Sequence, residues 1–133
     1  MSDDNSDFDA YLNSLPDKLV AELSGVVREQ AEMLSGAQRQ ALEQLEETEP
    51  TGDLAASCIV VPTDDPLTFI VQAGGDLTTK EVREGSGVKY DYAEAFEFGT
   101  SHQHAKPFFW PTYRAKREDI VTAIDAAVEK VLK

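Results

Sequence analysis

The feature that most constrains this fold is a run near the C-terminal end. It reads Tyr92-Ala93-Glu94-Ala95-Phe96-Glu97-Phe98-Gly99-Thr100, then Lys106-Pro107-Phe108-Phe109-Trp110-Pro111. Six aromatics and two of the 6 prolines fall within these 20 residues, in a chain that is otherwise polar and acidic. Aromatic rings call for burial or a partner, and proline fixes φ and lacks an N–H. The run therefore reads as a rigid corner leading into a C-terminal helix, with Gly99 at a positive-φ position. Its two carboxylates and nearby histidines also raise the question of chemistry.

The rest of the chain supplies the elements that this corner joins. Apolar residues recur at Leu15, Leu19, Leu23, Val26/Val27, Ala31, Leu34, Ala37, Ala41/Leu42 and Leu45. Steps of three and four describe one helical stripe over about 15–46, with Ser14 as N-cap and Pro16 in the first turn. Gly25 and Ser35-Gly36 are weak points, and a kink or break is expected near Gly36. Pro50-Thr51-Gly52-Asp53 ends the helix in a turn. Ser57–Val61 and Leu67–Val71 are short β-branched runs separated by Pro62-Thr63-Asp64-Asp65-Pro66, which predicts an antiparallel hairpin. Residues 73–89 read as a long loop. Beyond Pro111, Ile120, Ala123/Ile124, Ala127/Val128 and Val131/Leu132 form a second helical stripe. Arg114, Lys116 and Arg117 sit where the helix dipole favours acids, so the regular helix is expected nearer Glu118-Asp119. The fold class is α+β: long N-terminal helix, small antiparallel sheet with a hairpin, aromatic corner, C-terminal helix.

At 133 residues the chain reads as one domain, residues 14–133, after a disordered acidic tail at 1–13. The single cysteine, Cys58, excludes an intrachain disulfide and reads as a small core residue. No apolar run approaches the roughly 20 residues that span a bilayer, and the acidic N-terminus is unlike a signal peptide. The expectation is a soluble protein made in the cytoplasm. Net charge is −13, and residues 1–50 hold 12 acids against 3 bases. Such a surface repels nucleic acid, whose binding needs Lys and Arg to displace counterions.

Candidate chemistry is thin. His102 and His104, with Glu97 or Glu94, could hold a metal, which makes a small metal-binding protein or metal-dependent enzyme the alternative reading. Glu94 and Glu97 would share a face on a helix, but neither has a partner that suggests acid–base work. The more economical role for Glu97 is hydrogen bonding to backbone N–H groups near Gly99-Thr100. Nucleophile-elbow and phosphate-loop spacings are absent. No catalytic residue, metal or cofactor is assigned.

The motif Tyr92-Ala93-x-x-x-Glu97-Phe98-Gly99-Thr100, then Pro107-Phe108-x-x-Pro111 and a closing helix, resembles a phage neck protein family. These are head–tail joining or tail-completion proteins of long-tailed double-stranded DNA phages, similar to the minor tail protein Z group of lambda-like phages. Pro50-Thr51-Gly52-Asp53-Leu54-x-x-Ser57 resembles the family's Pro-x-x-Thr-Gly-x-Leu-x-x-Ser element, two residues shorter. The resemblance covers roughly residues 15–133. Lys106 stands where the family usually has arginine, Thr112 where alanine commonly follows the proline, and Ser101–Ala105 lacks the usual Lys-Met pattern. The resemblance implies a non-enzymatic virion protein, made in the host cytoplasm and placed at the head–tail junction. Copies would form a homo-oligomeric ring, a hexamer or a multiple of it. Its neighbours would be connector and tail-tube or tail-terminator proteins, with genome DNA passing through unbound. Tyr92, Ala93, Glu97, Phe98, Gly99, Thr100, Lys106, Pro107, Phe108, Phe109, Trp110 and Pro111 would form the structural motif and interface. Thr78, Lys80, Arg83 and Lys89 would be partner contacts of the loop.

Overall fold

In the computed structural model the described residues are 10, 16–45, 52–81, 85, 87, 89–101 and 104–132. Helix α1 is Asp17–Leu45, 29 residues or about 43 Å at 1.5 Å per residue. A helical turn, α2, follows at Asp53–Ala56, then strands β1 (Ile59–Pro62) and β2 (Phe69–Gln72). A 3-10 turn at Asp76–Thr78 leads to β3 (Thr79–Glu81) and β4 (Lys89–Asp91). Helix α3 is Tyr92–Phe98 and helix α4 is Trp110–Leu132. The α+β class and its element order are as the sequence predicts.

Helix α1 runs unbroken through Gly25 and Gly36, against the expected kink. Leu34, Ser35 and Gln38, which flank Gly36, are all buried, and tertiary packing outweighs the intrinsic cost of one glycine. The Ser14 cap lies outside the described residues, as does the 1–13 tail apart from Ala10. Gly52 adopts φ 71° and opens α2, a left-handed conformation that suits glycine.

The predicted hairpin is present, with β1 and β2 antiparallel in the register Ile59↔Gln72, Val60↔Val71, Val61↔Ile70 and Pro62↔Phe69. Its connection is held by side chains. Asp65 Oδ1 accepts from the Leu67 N–H at 2.9 Å, and Thr63 Oγ1 accepts from the Asp65 N–H at 3.1 Å. Segment 73–89 is not the single loop expected. It contains the 3-10 turn and a second hairpin, β3 with β4, registered Thr79↔Asp91, Lys80↔Tyr90 and Glu81↔Lys89. Strands of three residues are too short to reveal a two-residue period in sequence.

The core is a small cluster at the C-terminal end of α1: Leu42, Leu54, Cys58, Ala93 and Phe108, with Ala41, Ala55, Ala73, Tyr92, Phe96 and Phe109 against it. Helices α1, α2 and α3, the residues flanking the first hairpin (Cys58 and Ala73) and the corner contribute to it. The other end of the molecule is leaner. Helix α4 packs along α1, yet no residue of α4 is fully buried. Phe108 is the largest fully buried side chain. Phe108→Ala is expected to lower unfolding free energy by about 3–5 kcal/mol in denaturant titration. A loss under about 1 kcal/mol would mean the site collapses around the smaller side chain.

Candidate functional site: the carboxylate corner

The corner is built from two acids, each used to hold backbone. Asp91 ends β4 and caps α3, its Oδ1 accepting from the Ala93 N–H at 2.9 Å. The same carboxylate accepts from the Gly75 N–H at 2.8 Å and from the Thr78 hydroxyl. One side chain thus ties the start of α3 to the 3-10 turn. Burial pushes the Asp91 carboxyl up, but the hydrogen bonds from Gly75, Thr78 and Ala93 outweigh it and hold it below its ordinary value. Gly74 gives this carboxylate room: a Cβ there would lie 2.6 Å from Asp91 Oδ2.

Helix α3 then carries Glu97 into the interior. The helix ends at Gly99, with φ 78° and ψ 171°, and the Gly99 N–H closes onto Ala95 O at 2.7 Å. The Lys106 N–H returns to Phe96 O at 2.8 Å, so the chain doubles back across α3. Buried Glu97 then accepts three successive backbone N–H groups: Oε1 from Phe108 and Phe109, each at 2.8 Å, and Oε2 from Trp110 at 3.1 Å. These are donors at the opening of α4 that the helix itself leaves unpaired. The carboxylate satisfies them and places negative charge at the positive end of the helix dipole.

This explains why α4 begins at Trp110 rather than near Glu118-Asp119. The acid missing from its first turn is delivered from α3 through space. It also corrects the expected local role of Glu97, whose partners are 11 to 13 residues downstream rather than at Gly99-Thr100. Gln38 of α1 completes the corner from the other side, its Nε2 donating to Phe109 O at 3.1 Å. The Phe109 peptide is therefore held at both ends.

The aromatic rings form a connected series of edge-to-face contacts. Centroids are 5.9 Å apart for Phe96–Phe108, 6.4 Å for Phe108–Phe109, 5.1 Å for Phe109–Trp110 and 6.0 Å for Trp110–Tyr113. Lys106 Nζ lies 5.8 Å from the Phe96 ring centroid, within cation–π range. The series runs from the core to the surface: Phe108 is buried, while Trp110 is 45% exposed; Phe98, at the end of α3 and outside the series, is 63% exposed. An open cleft of about 370 Å³ lies beside it, lined among others by Val71, Asp91, Glu94, Phe98, Phe109 and Trp110.

The structure divides the residues singled out from the sequence. Ala93, Glu97 and Phe108 are interior; Phe98, Thr100, Lys106, Pro107 and Trp110 are exposed; Tyr92, Gly99, Phe109 and Pro111 lie between. Thr78 is not a partner contact: it is fully buried and bonded to Asp91. Lys80 lies on β3, exposed Lys89 on β4, and Arg83 outside the described residues.

Glu94 and Glu97 both line the cleft, but both oxygens of Glu97 already accept from backbone N–H groups. His104 is exposed and His102 lies outside the described residues. Among the described residues no group of three or more His, Cys, Asp or Glu is placed to hold a metal ion, and no helix is long and apolar enough to cross a membrane.

Sequence reasoning passed over Asp91 and Gln38. Asp91 was detectable, since Asp91-Tyr92-Ala93-Glu94 has capping-box form at the start of a helical turn. Gln38 lies on the stripe among apolar neighbours and carries no such signal. No family model, curated protein or solved structure matches this chain.

Glu97→Ala leaves three helix-opening donors without their acceptor and should lower unfolding free energy by about 3 kcal/mol or more, since hydrogen bonds to charged groups contribute about 1.5–3 kcal/mol each. Equal stability in denaturant titration would show that water replaces the carboxylate. For Asp91, the hydrogen bonds hold the folded carboxyl below its ordinary value, so its contribution is present above the unfolded value and disappears as pH falls through the folded one. An Asp91→Asn variant should therefore show a shallower loss of melting temperature below about pH 4 than the parent. Parallel acid limbs for the two proteins would remove Asp91 from that transition.

Proposed function

We propose that this chain is a non-enzymatic structural component of a phage neck. Copies form a ring at the head–tail junction, between the portal–connector and the tail tube, around a channel for DNA. The observation that carries this reading is the use made of the residues behind the resemblance. Glu97, Gly99, Lys106 and Phe108 serve one purpose, holding the corner and the start of α4, and none is left for chemistry. The same corner brings Phe98 and Trp110 to the surface. Large exposed aromatics on a rigid support suit a protein contact.

The charge of −13 supports the same reading. A ring whose channel wall is acidic repels the phosphate backbone and lets the genome slide past rather than adhere. Ligand-free assembly would also account for a corner in which both oxygens of Glu97 are committed to backbone.

Electron microscopy and native mass spectrometry of the purified chain, alone and mixed with the proteins encoded beside it, test the proposal. The expected result is a closed ring with a central channel, in a locus that also encodes portal, capsid and tail-tube proteins. A chain that stays monomeric in every mixture, from a locus without such genes, would sink it.

A further inference from the structure

We infer that two oppositely charged faces of this chain join one copy to the next, head to tail. The inference shares with the neck reading the premise that the chain assembles with itself, and it names the surfaces that do so. The first face lies on α4. With 3.6 residues per turn, Trp110, Arg114, Arg117 and Val121 fall within roughly 60° of arc. All four are exposed, Trp110 by 45% and Val121 by 48%. Trp and Arg are the residue types that dominate interface hot spots.

Of the described bases near this face, only Lys106 has a role in the corner, over the Phe96 ring; Arg114 and Arg117 take no part in it. Residues 106–117 contain Lys106, Arg114, Lys116 and Arg117 and no Asp or Glu, in a chain of net charge −13. A basic face that carries an exposed Trp, on an otherwise acidic chain, suits a contact outside the monomer.

The second face lies on α1. Glu22, Gly25, Glu29 and Glu32 fall within roughly 80° of arc, and Gly36 and Glu43 continue the same stripe. The four glutamates are exposed; Lys18, at the start, is the one base on this arc. A Cβ at Gly25 or Gly36 would meet nothing within 4 Å, so packing inside the monomer requires neither glycine. Glycine weakens a helix interior but leaves the backbone bare, which admits a close neighbour. Trp110 to Val121 spans about 16 Å, and Glu22 to Glu32 about 15 Å. The two faces therefore match in length as well as in sign.

The occupant of the α4 face is the α1 face of a second copy. Trp110 packs on bare helix beside Gly25, and Arg114 and Arg117 meet Glu29 and Glu32. Such a contact uses different surfaces on the two copies, so it is heterologous, and its rotation closes a ring or extends a filament. Nucleic acid is the rival occupant of a basic aromatic face, and the overall charge opposes it.

Two full-length variants test this by sedimentation velocity and native mass spectrometry. Arg114→Glu with Arg117→Glu removes the α4 face, and Glu29→Lys with Glu32→Lys removes the α1 face. Each alone should self-associate at least roughly thirtyfold more weakly than the parent. Mixed in equal amounts they are complementary again at both junctions, one in the native sense and one with the charges exchanged, so assembly beyond a dimer should be restored although each variant alone fails. Circular dichroism melting checks that both fold, and Arg114→Gln with Arg117→Gln serves if the reversal does not. Variants that assemble as the parent does would overturn these surfaces while leaving the ring reading standing. A parent chain that is monomeric alone but joins a ring on its neighbours would also overturn them. Binding of a short DNA duplex by the parent, lost on Arg114→Glu/Arg117→Glu with self-association unchanged, would give the α4 face to nucleic acid instead.

Discussion

The Glu97 carboxylate is the interaction on which the rest of this structure depends. It is buried, and its two oxygens accept three consecutive backbone N–H groups at the opening of α4. A buried charge is tolerated only when it is fully hydrogen-bonded, and a helix opening away from water needs acceptors for its first donors. Here each requirement meets the other. Because Glu97 sits on α3, the bond also fixes where the C-terminal helix emerges. That direction lays α4 along α1, where Gln38 donates to the Phe109 carbonyl.

Asp91 repeats the device one element earlier. Its carboxylate gathers the Gly75 N–H, the Thr78 hydroxyl and the Ala93 N–H, so the second hairpin and α3 are positioned by one side chain. The small core of Leu42, Leu54, Cys58, Ala93 and Phe108 is modest for a chain of 133 residues. Directional bonds to two acids supply the orientation that apolar packing, being non-directional, does not. The aromatic series from Phe96 to Tyr113 then carries that order outward to the exposed Trp110.

Much of the architecture was legible because it is periodic. The stripe from Leu19 to Leu45 specified α1, and two β-branched runs between turn residues specified the first hairpin. What escaped was non-local or short. The three-residue strands β3 and β4 carry no readable alternation. The start of α4 was misplaced because the charge that compensates its dipole comes from Glu97, on another element. The expected kink at Gly36 failed because burial of its neighbours outweighs propensity. At the corner, the importance of Glu97, Gly99 and Phe108 could be read from residue types alone, but the partners of Glu97 could not. A carboxylate declares that it needs donors without saying where along the chain they lie.

The uneven distribution of burial has a further consequence. Among the described residues, every fully buried one beyond α1 lies in segments before α4, and α4 itself contributes none. Segments with few buried apolar contacts open at lower free energy than the core they adjoin. Amide protons in the last turns of α4 and the first turns of α1 should therefore exchange with solvent through a local opening, while those of Phe108 to Trp110 wait for global unfolding. The molecule is a tight hub with a pliant two-helix arm, and a neighbour that docks along that arm would tighten it without altering the hub.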